Sequence, residues 1–182
     1  WASLTKEQHG AWPLSSIAPS DAMTYCASRG GNGRLPTSAE WMRSAAPSNG
    51  SPWPWGALDP TPEEVASHGV FLRDGQDMYG DLGRLAVPNA LSTSPFGVLG
   101  LVGGLEEWAC DSVSSGRCSR PIARGGGYNF PPADVIENGG LYVATETGGA
   151  SDTFGFRCVF PVEAPRAPEP PVTEVITPTP AP

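Results

Sequence analysis

The chain has 182 residues, enough for one domain with a substantial core plus extensions. Its formal net charge is −8 and its 11 basic residues are scattered without a run, which argues against nucleic acid as a partner, since a polyanion requires clustered Lys and Arg. With Gly 23 and Pro 21, much of the backbone is committed to turns and loops, and no stretch is long and apolar enough for a transmembrane helix.

The first ten residues, WASLTKEQHG, lack the basic start and apolar run of a signal peptide, so residue 1 reads as a processed or truncated end. After the apolar run AWPLSSIAP, the segment SDAMTYCASR reads as a short helix. Ser20 is its expected cap and Asp21 suits the positive end of the dipole. Ala22, Tyr25, Cys26 and Arg29 recur at helical spacing, which turns Cys26 toward the core. GGNG ends it. In RLPTSAEWMRSAA, Thr37 and Glu40 form a capping-box pair, and Trp41 and Ala45 share the buried stripe of a second helix.

From Pro47 to about Pro95 the sequence reads as irregular, including PWPWG and the acidic loop RDGQDMYGD with Asp74, Asp77 and Asp81. SPFGVLGLVGGLEEWACD reads as a turn, a buried short strand, a tight turn and a strand carrying Trp108. IARGGGYNF and FGFRCVF read as late strands. From Pro161 the chain holds eight prolines and no aromatic residue, so 161–182 is expected to be an extended tail or linker. The expected domain is 1–160.

Four cysteines, Cys26, Cys110, Cys118 and Cys158, allow three pairings. None sits in a CxxC, and His9 and His68 are the only histidines, which argues against zinc. Disulfides are the expected state, and they imply an oxidising, extracytoplasmic compartment. Glu106 and Glu107 are adjacent on a strand, so they point to opposite faces and cannot share a proton.

Six segments in order resemble the sulfatase-modifying-factor family, whose formylglycine-generating-enzyme domain is a variant of the C-type lectin fold. They are DAMTYC (21–26), GRLPTSAEW (33–41), PWPWG (52–56), SPFGVLGLVGGLEEW (94–108), RGGGY (124–128) and GFRC (155–158). The resemblance implies a loop-rich α+β fold with two short helices and short antiparallel strands, and it implies that the first strand pair and helix of the domain lie upstream of Trp1. It also implies that Cys26 bonds to Cys158, leaving Cys110 to Cys118. Arg34, Glu40, Arg124 and Arg157 are then expected in buried ion pairs and in bonds to loop carbonyls. Trp41, Trp53, Trp55 and Trp108 supply core mass, with an aromatic ligand platform as the alternative for Trp53 and Trp55.

The family's oxidase chemistry uses two cysteines after R-G-G-S-Y as copper(I) ligands, one of them the nucleophile. The corresponding positions here are Phe130 and Val135, so no copper is expected and the chain reads as a non-catalytic member. One calcium ion is implied at Glu107 with the carbonyls of Val102 and Leu105. The expected function is an extracytoplasmic binding or structural module. Its protein or glycan ligand would meet Tyr128, Phe130, Asn138, Tyr142 and Glu146. The alternatives are a formylglycine-generating oxidase and a subunit of a larger cell-envelope assembly, in which a neighbouring subunit supplies the missing N-terminal part of the domain.

Overall fold

A computed structural model describes residues 13–46, 50–71, 93–114, 117–137 and 150–162. The described elements are α1 (Pro19–Ser28), α2 (Ser38–Ala45), α3 (Pro62–His68), β1 (Glu106–Ser114), β2 (Arg117–Arg124), α4 (Pro132–Glu137) and β3 (Phe154–Phe156). The architecture is α+β and rich in loops, with four helices among the described residues where the sequence suggested two.

Helix α1 starts two residues earlier than the capping argument placed it. Its N-cap is Ala18, with no side-chain cap, and Pro19 occupies the first turn. Proline is preorganised for that position and lacks only an N–H that the helix leaves unbonded anyway. Ser20 is therefore inside the helix, where its carbonyl accepts the Thr24 hydroxyl at 2.8 Å. In α2 both halves of the capping box are formed: the Thr37 hydroxyl accepts from the Glu40 N–H at 3.1 Å, and Glu40 accepts from the Thr37 N–H at 2.8 Å. The two additional helices arise in proline-rich sequence. Thr61 caps α3, with Pro62 at its start, and Pro132 begins α4.

The sheet order is β2-β1-β3. β1 and β2 are antiparallel, with Trp108 opposite Ala123 and Ala109 opposite Ile122. β3 runs parallel to β1, pairing Glu106 with Phe154 and Trp108 with Phe156, so the expectation of antiparallel strands throughout is corrected. The short β1–β2 turn can only reverse the chain, whereas β3 arrives after a long connection and is free to run either way. The short strand expected before Gly103 is replaced by irregular backbone with one bridge between Gly103 and Val70. Gly97, Gly100, Gly103 and Gly104 all have positive φ there, which is incompatible with an extended run.

Alternation along β1 and β2 divides the core in two. Ala109 and Ile122 face a cluster with Trp41, Ala45, Trp53, Val65, Phe71, Leu101, Val102 and Val135, drawn from α2, α3, α4 and the loops. Trp108 and Ala123 face Ala22, Cys26, Leu35 and Phe154 on the α1 side. Trp108 also anchors a loop, its Nε1–H donating to the Ile17 carbonyl at 2.8 Å. Cys26 is bonded to Cys158, Cα–Cα 5.4 Å, tying α1 to the segment after β3. Cys110 is bonded to Cys118 within the β1–β2 hairpin. No helix among the described residues is long and apolar enough to cross a membrane.

Candidate functional site

The segment 125–135 leaves the end of β2 and returns against the core. Gly125 and Gly126 have φ of 105° and 70°, so the strand expected through IARGGGYNF stops at Arg124. The Tyr128 N–H donates to the Gly104 carbonyl at 2.6 Å, which pins this turn to the loop before β1. Tyr128, assigned to the contact face from sequence, is 3% exposed and so is a packed residue. Phe130 lies at the surface edge, 36% exposed.

Pro131 and Pro132 do not leave a stiff open loop. The Pro131 carbonyl accepts from the N–H groups of Asp134 and Val135, which starts α4. That helix drives Val135 into the core at 5% exposure, beside Trp41, Leu101 and Ile122. The fit is close: a Cβ added at Gly126 would stand 3.3 Å from Val135 Cγ2. Of the two positions that the resemblance assigns to thiols, one is thus sealed in hydrocarbon and the other is a phenyl ring. Neither side chain carries a lone pair for a metal ion. Asn138, Tyr142 and Glu146 lie outside the described residues.

On the other side of the loop before β1, a groove of about 420 Å3 opens against β3. Tyr25, Leu99, Leu105 and Phe156 line it, with Glu107 and Arg157 at its polar end. Tyr25 and Phe156 meet edge to face, centroids 5.4 Å apart. The Arg157 guanidinium donates twice to Glu107, each at 2.5 Å, and once to the Leu99 carbonyl at 3.2 Å. Burial works against the charge on Arg157, but the bonds to Glu107 outweigh it and hold its pKa above the ordinary value. Glu107 also accepts the Trp41 Nε1–H at 2.7 Å.

Both oxygens of Glu107 are therefore engaged by protein donors. The Val102 carbonyl, offered as a calcium ligand, accepts the Val70 N–H at 3.3 Å. A cation placed here would compete with Arg157 for its carboxylate. Among the described residues no group of three or more His, Cys, Asp or Glu is placed to hold a metal ion. Asp74, Asp77 and Asp81 are outside the described residues.

The other charged motif residues divide by exposure. Arg34 and Glu40 form a bidentate pair at 2.6–2.7 Å, but their side chains are 49% and 44% exposed, so the buried pair expected there is a surface one. Its guanidinium bond and the Thr37 N–H bond hold the Glu40 carboxyl at a pKa of about 2. Arg124 is buried and donates to the Ser38 hydroxyl at 2.5 and 3.0 Å. Trp53 is core, while Trp55 stacks on His68, centroids 4.1 Å apart, and donates to Glu64 at 3.1 Å. The Trp41–Glu107–Arg157 chain joins three motifs distant in sequence, and only a known fold could have announced it.

Comparison with known proteins follows the same outline. Residues 2–162 match the sulfatase-modifying factor enzyme 1-like domain. A curated relative, the uncharacterized protein YfmG of Bacillus subtilis, is 26% identical over 144 residues, 71% of this chain but only 29% of that protein. Among solved structures, CarF superposes with a TM-score of 0.56 at 17% identity, covering 87% of this chain and 70% of its own. PvdO from Pseudomonas aeruginosa superposes with a TM-score of 0.59 at 20% identity, covering 81% of this chain and 61% of its own. At those identities the likeness establishes the fold.

Proposed function

Because the chain belongs to the sulfatase-modifying factor enzyme 1-like family, we propose that it is a non-catalytic, extracytoplasmic binding or structural module built on that family's C-type-lectin-like scaffold. The observation that carries this reading is the seat of Val135. On this reading the family's thiol pair is replaced by Phe130 and Val135, and Val135 lies in the core at 5% exposure. A redox nucleophile needs a soft, accessible sulfur, and a packed isopropyl group supplies neither a lone pair nor a path for substrate. The two disulfides support a compartment that oxidises thiols.

The ligand is a protein or glycan, met by Phe130 together with Asn138, Tyr142 and Glu146. Residues 161–182 act as a tether. Glu107 serves as the anchor of Arg157 and Trp41, so treatment with a chelator leaves Tm unchanged; a fall of several degrees would assign calcium to the site. The direct test is incubation with a C-x-P-x-R peptide, copper(I) and oxygen. No aldehyde is expected by mass spectrometry, and aldehyde formation would return the chain to the oxidases.

A subunit role in a larger assembly is favoured by the groove beside β3, where Leu14, Tyr25 and Leu99 stand 59%, 48% and 41% exposed. Sedimentation distinguishes the two: a stable monomer supports a free-standing module, and self-association or aggregation supports a surface that another subunit covers.

A further inference from the structure

The sheet order β2-β1-β3 leaves one side of β3 at the edge of the sheet. Its register with β1 fixes which backbone groups lie on that side. The Glu106 N–H donates to the Thr153 carbonyl at 2.8 Å and Glu107 pairs with Gly155, so Thr153 and Gly155 turn their groups toward β1. Phe154 and Phe156 alternate with them and turn outward. The Phe154 N–H is taken by the Ser151 carbonyl at 3.1 Å. The Phe154 carbonyl and both backbone groups of Phe156 have no hydrogen-bond partner among the described residues. Further along, Val159 exchanges bonds with Arg34 at 2.8 and 3.1 Å, but it does so on the β1 side, where Thr37 bridges Cys110. The outer edge is therefore open.

The groove beside β3 runs along this edge. Gly155, Phe156, Arg157 and Cys158 all line it, although alternate residues of a strand face opposite ways. One wall holds Leu99 and Leu105, on the side of Arg157, and the other is Tyr25 packed against Phe156. An outward N–H and C=O at strand spacing match only another extended backbone, because a helix uses its own groups internally. Side chains of such a segment would alternate between the two apolar walls, which favours β-branched residues.

Charge adds a second requirement. Glu107 and Arg157 neutralise each other at the polar end of the groove. Arg29 is not neutralised in that way: its guanidinium carbon lies 5.7 Å from the Tyr25 ring centroid, and it has no carboxylate partner among the described residues. Asp21, eight residues earlier, is about 12 Å away along the helix axis. The aromatic wall is thus flanked by an unmatched positive charge on a protein whose net charge is −8.

We propose that the outer edge of β3 is a peptide-binding site, which takes a short, extended, β-branched segment of a partner protein, carrying a carboxylate, as a further strand of the sheet. The Phe156 N–H donates to a carbonyl of that segment, and the Phe154 or Phe156 carbonyl accepts one of its N–H groups. Arg29 meets the carboxylate. Since β3 is short, few backbone bonds are available, which suits reversible capture of a segment rather than a continuous sheet between two domains. The inference shares its groove with the subunit reading but requires no permanent subunit, and it does not involve the surface at Phe130.

The test is amide hydrogen exchange by NMR on the intact, isotope-labelled chain, with the probe acetyl-VTVEVTV-amide added to about 1 mM. Exchange at the Phe156 amide is expected to slow about tenfold or more, while Gly155, already bonded to β1, is unchanged. Two further probes carry N-methyl groups on the two alternate sets of residues. One of them should bind about tenfold more weakly, because one set must face β3. Arg29→Glu should weaken the glutamate probe at least about threefold, and a probe with lysine in place of glutamate should recover the loss. Unchanged exchange at Phe156, or equal binding of all three probes, would overturn the proposal. So would protection of Phe156 in the free chain, either at every dilution or rising with concentration as a second copy covers the edge. Sedimentation of the chain with the probe should show a monomer, so failure of the subunit reading leaves this result standing.

Discussion

Glu107 illustrates how one side chain can hold three segments. Its two oxygens take bonds from Arg157 after β3 and from Trp41 on α2, while its backbone lies in β1. Glu107→Ala leaves a half-buried guanidinium without its counter-charge and a buried indole N–H without its acceptor. The expected loss is about 2–3 kcal/mol in urea unfolding, more than for a surface pair, because the unpaired groups cannot reach bulk water freely. Glu40 behaves differently. Its folded pKa of about 2 lies below the ordinary value of 4.5, so its contribution is complete above the unfolded value and disappears as pH falls through the folded one. Urea unfolding of Glu40→Gln should therefore lose the part of the acid slope that falls between those two values. At neutral pH the same variant should cost less than about 1 kcal/mol, since the pair is half exposed and screened. The Thr37–Glu40 pair was legible because capping is local, written within four consecutive residues. The bond from Trp41 to Glu107 joins positions 66 apart and has no local signature.

At the scale of elements, the two helices not legible in the sequence, α3 and α4, both begin with proline, as α1 does. PTPEEV and PPADVI read as loop because proline breaks a helix interior. The signal was nonetheless present in α3: Thr61 with Glu64 repeats the spacing of Thr37 with Glu40, and proline at the first helical position favours a start. The same oversight made Ser20, rather than Ala18, the expected cap of α1. The loop before β1 is legible as turn-rich, but its apolar residues do not form the strand that their hydrophobicity suggests. They instead pack around glycines that allow close backbone approach. A Cβ at Gly103, where φ is 65°, would lie 2.4 Å from the Val70 carbonyl oxygen. Gly103→Ala is accordingly expected to cost about 2–3 kcal/mol, measured by the midpoint of urea unfolding, as left-handed strain and a backbone clash act together.

For the whole molecule, the order of six short motifs was informative where each alone was not. Composition could give only a loop-rich chain, whereas the sequence of motifs gave the scaffold that the fold comparison supports. What stayed hidden was the packing of 125–135, since nothing in RGGGYNFPPADV states that Val135 turns inward. Long-range closure depends on Cys26 and Cys158, which are 132 residues apart. Replacing both with serine should lower stability by on the order of 4–5 kcal/mol in the chain-entropy view, enough to leave the domain largely unfolded at 37 °C. Denaturant titration of the double variant checks that value. The cross-link also makes almost the entire described chain a covalent ring. A protease that cuts once inside that ring yields no separate pieces, only an opened circle, and its two arms part on a gel only after a reducing agent is added.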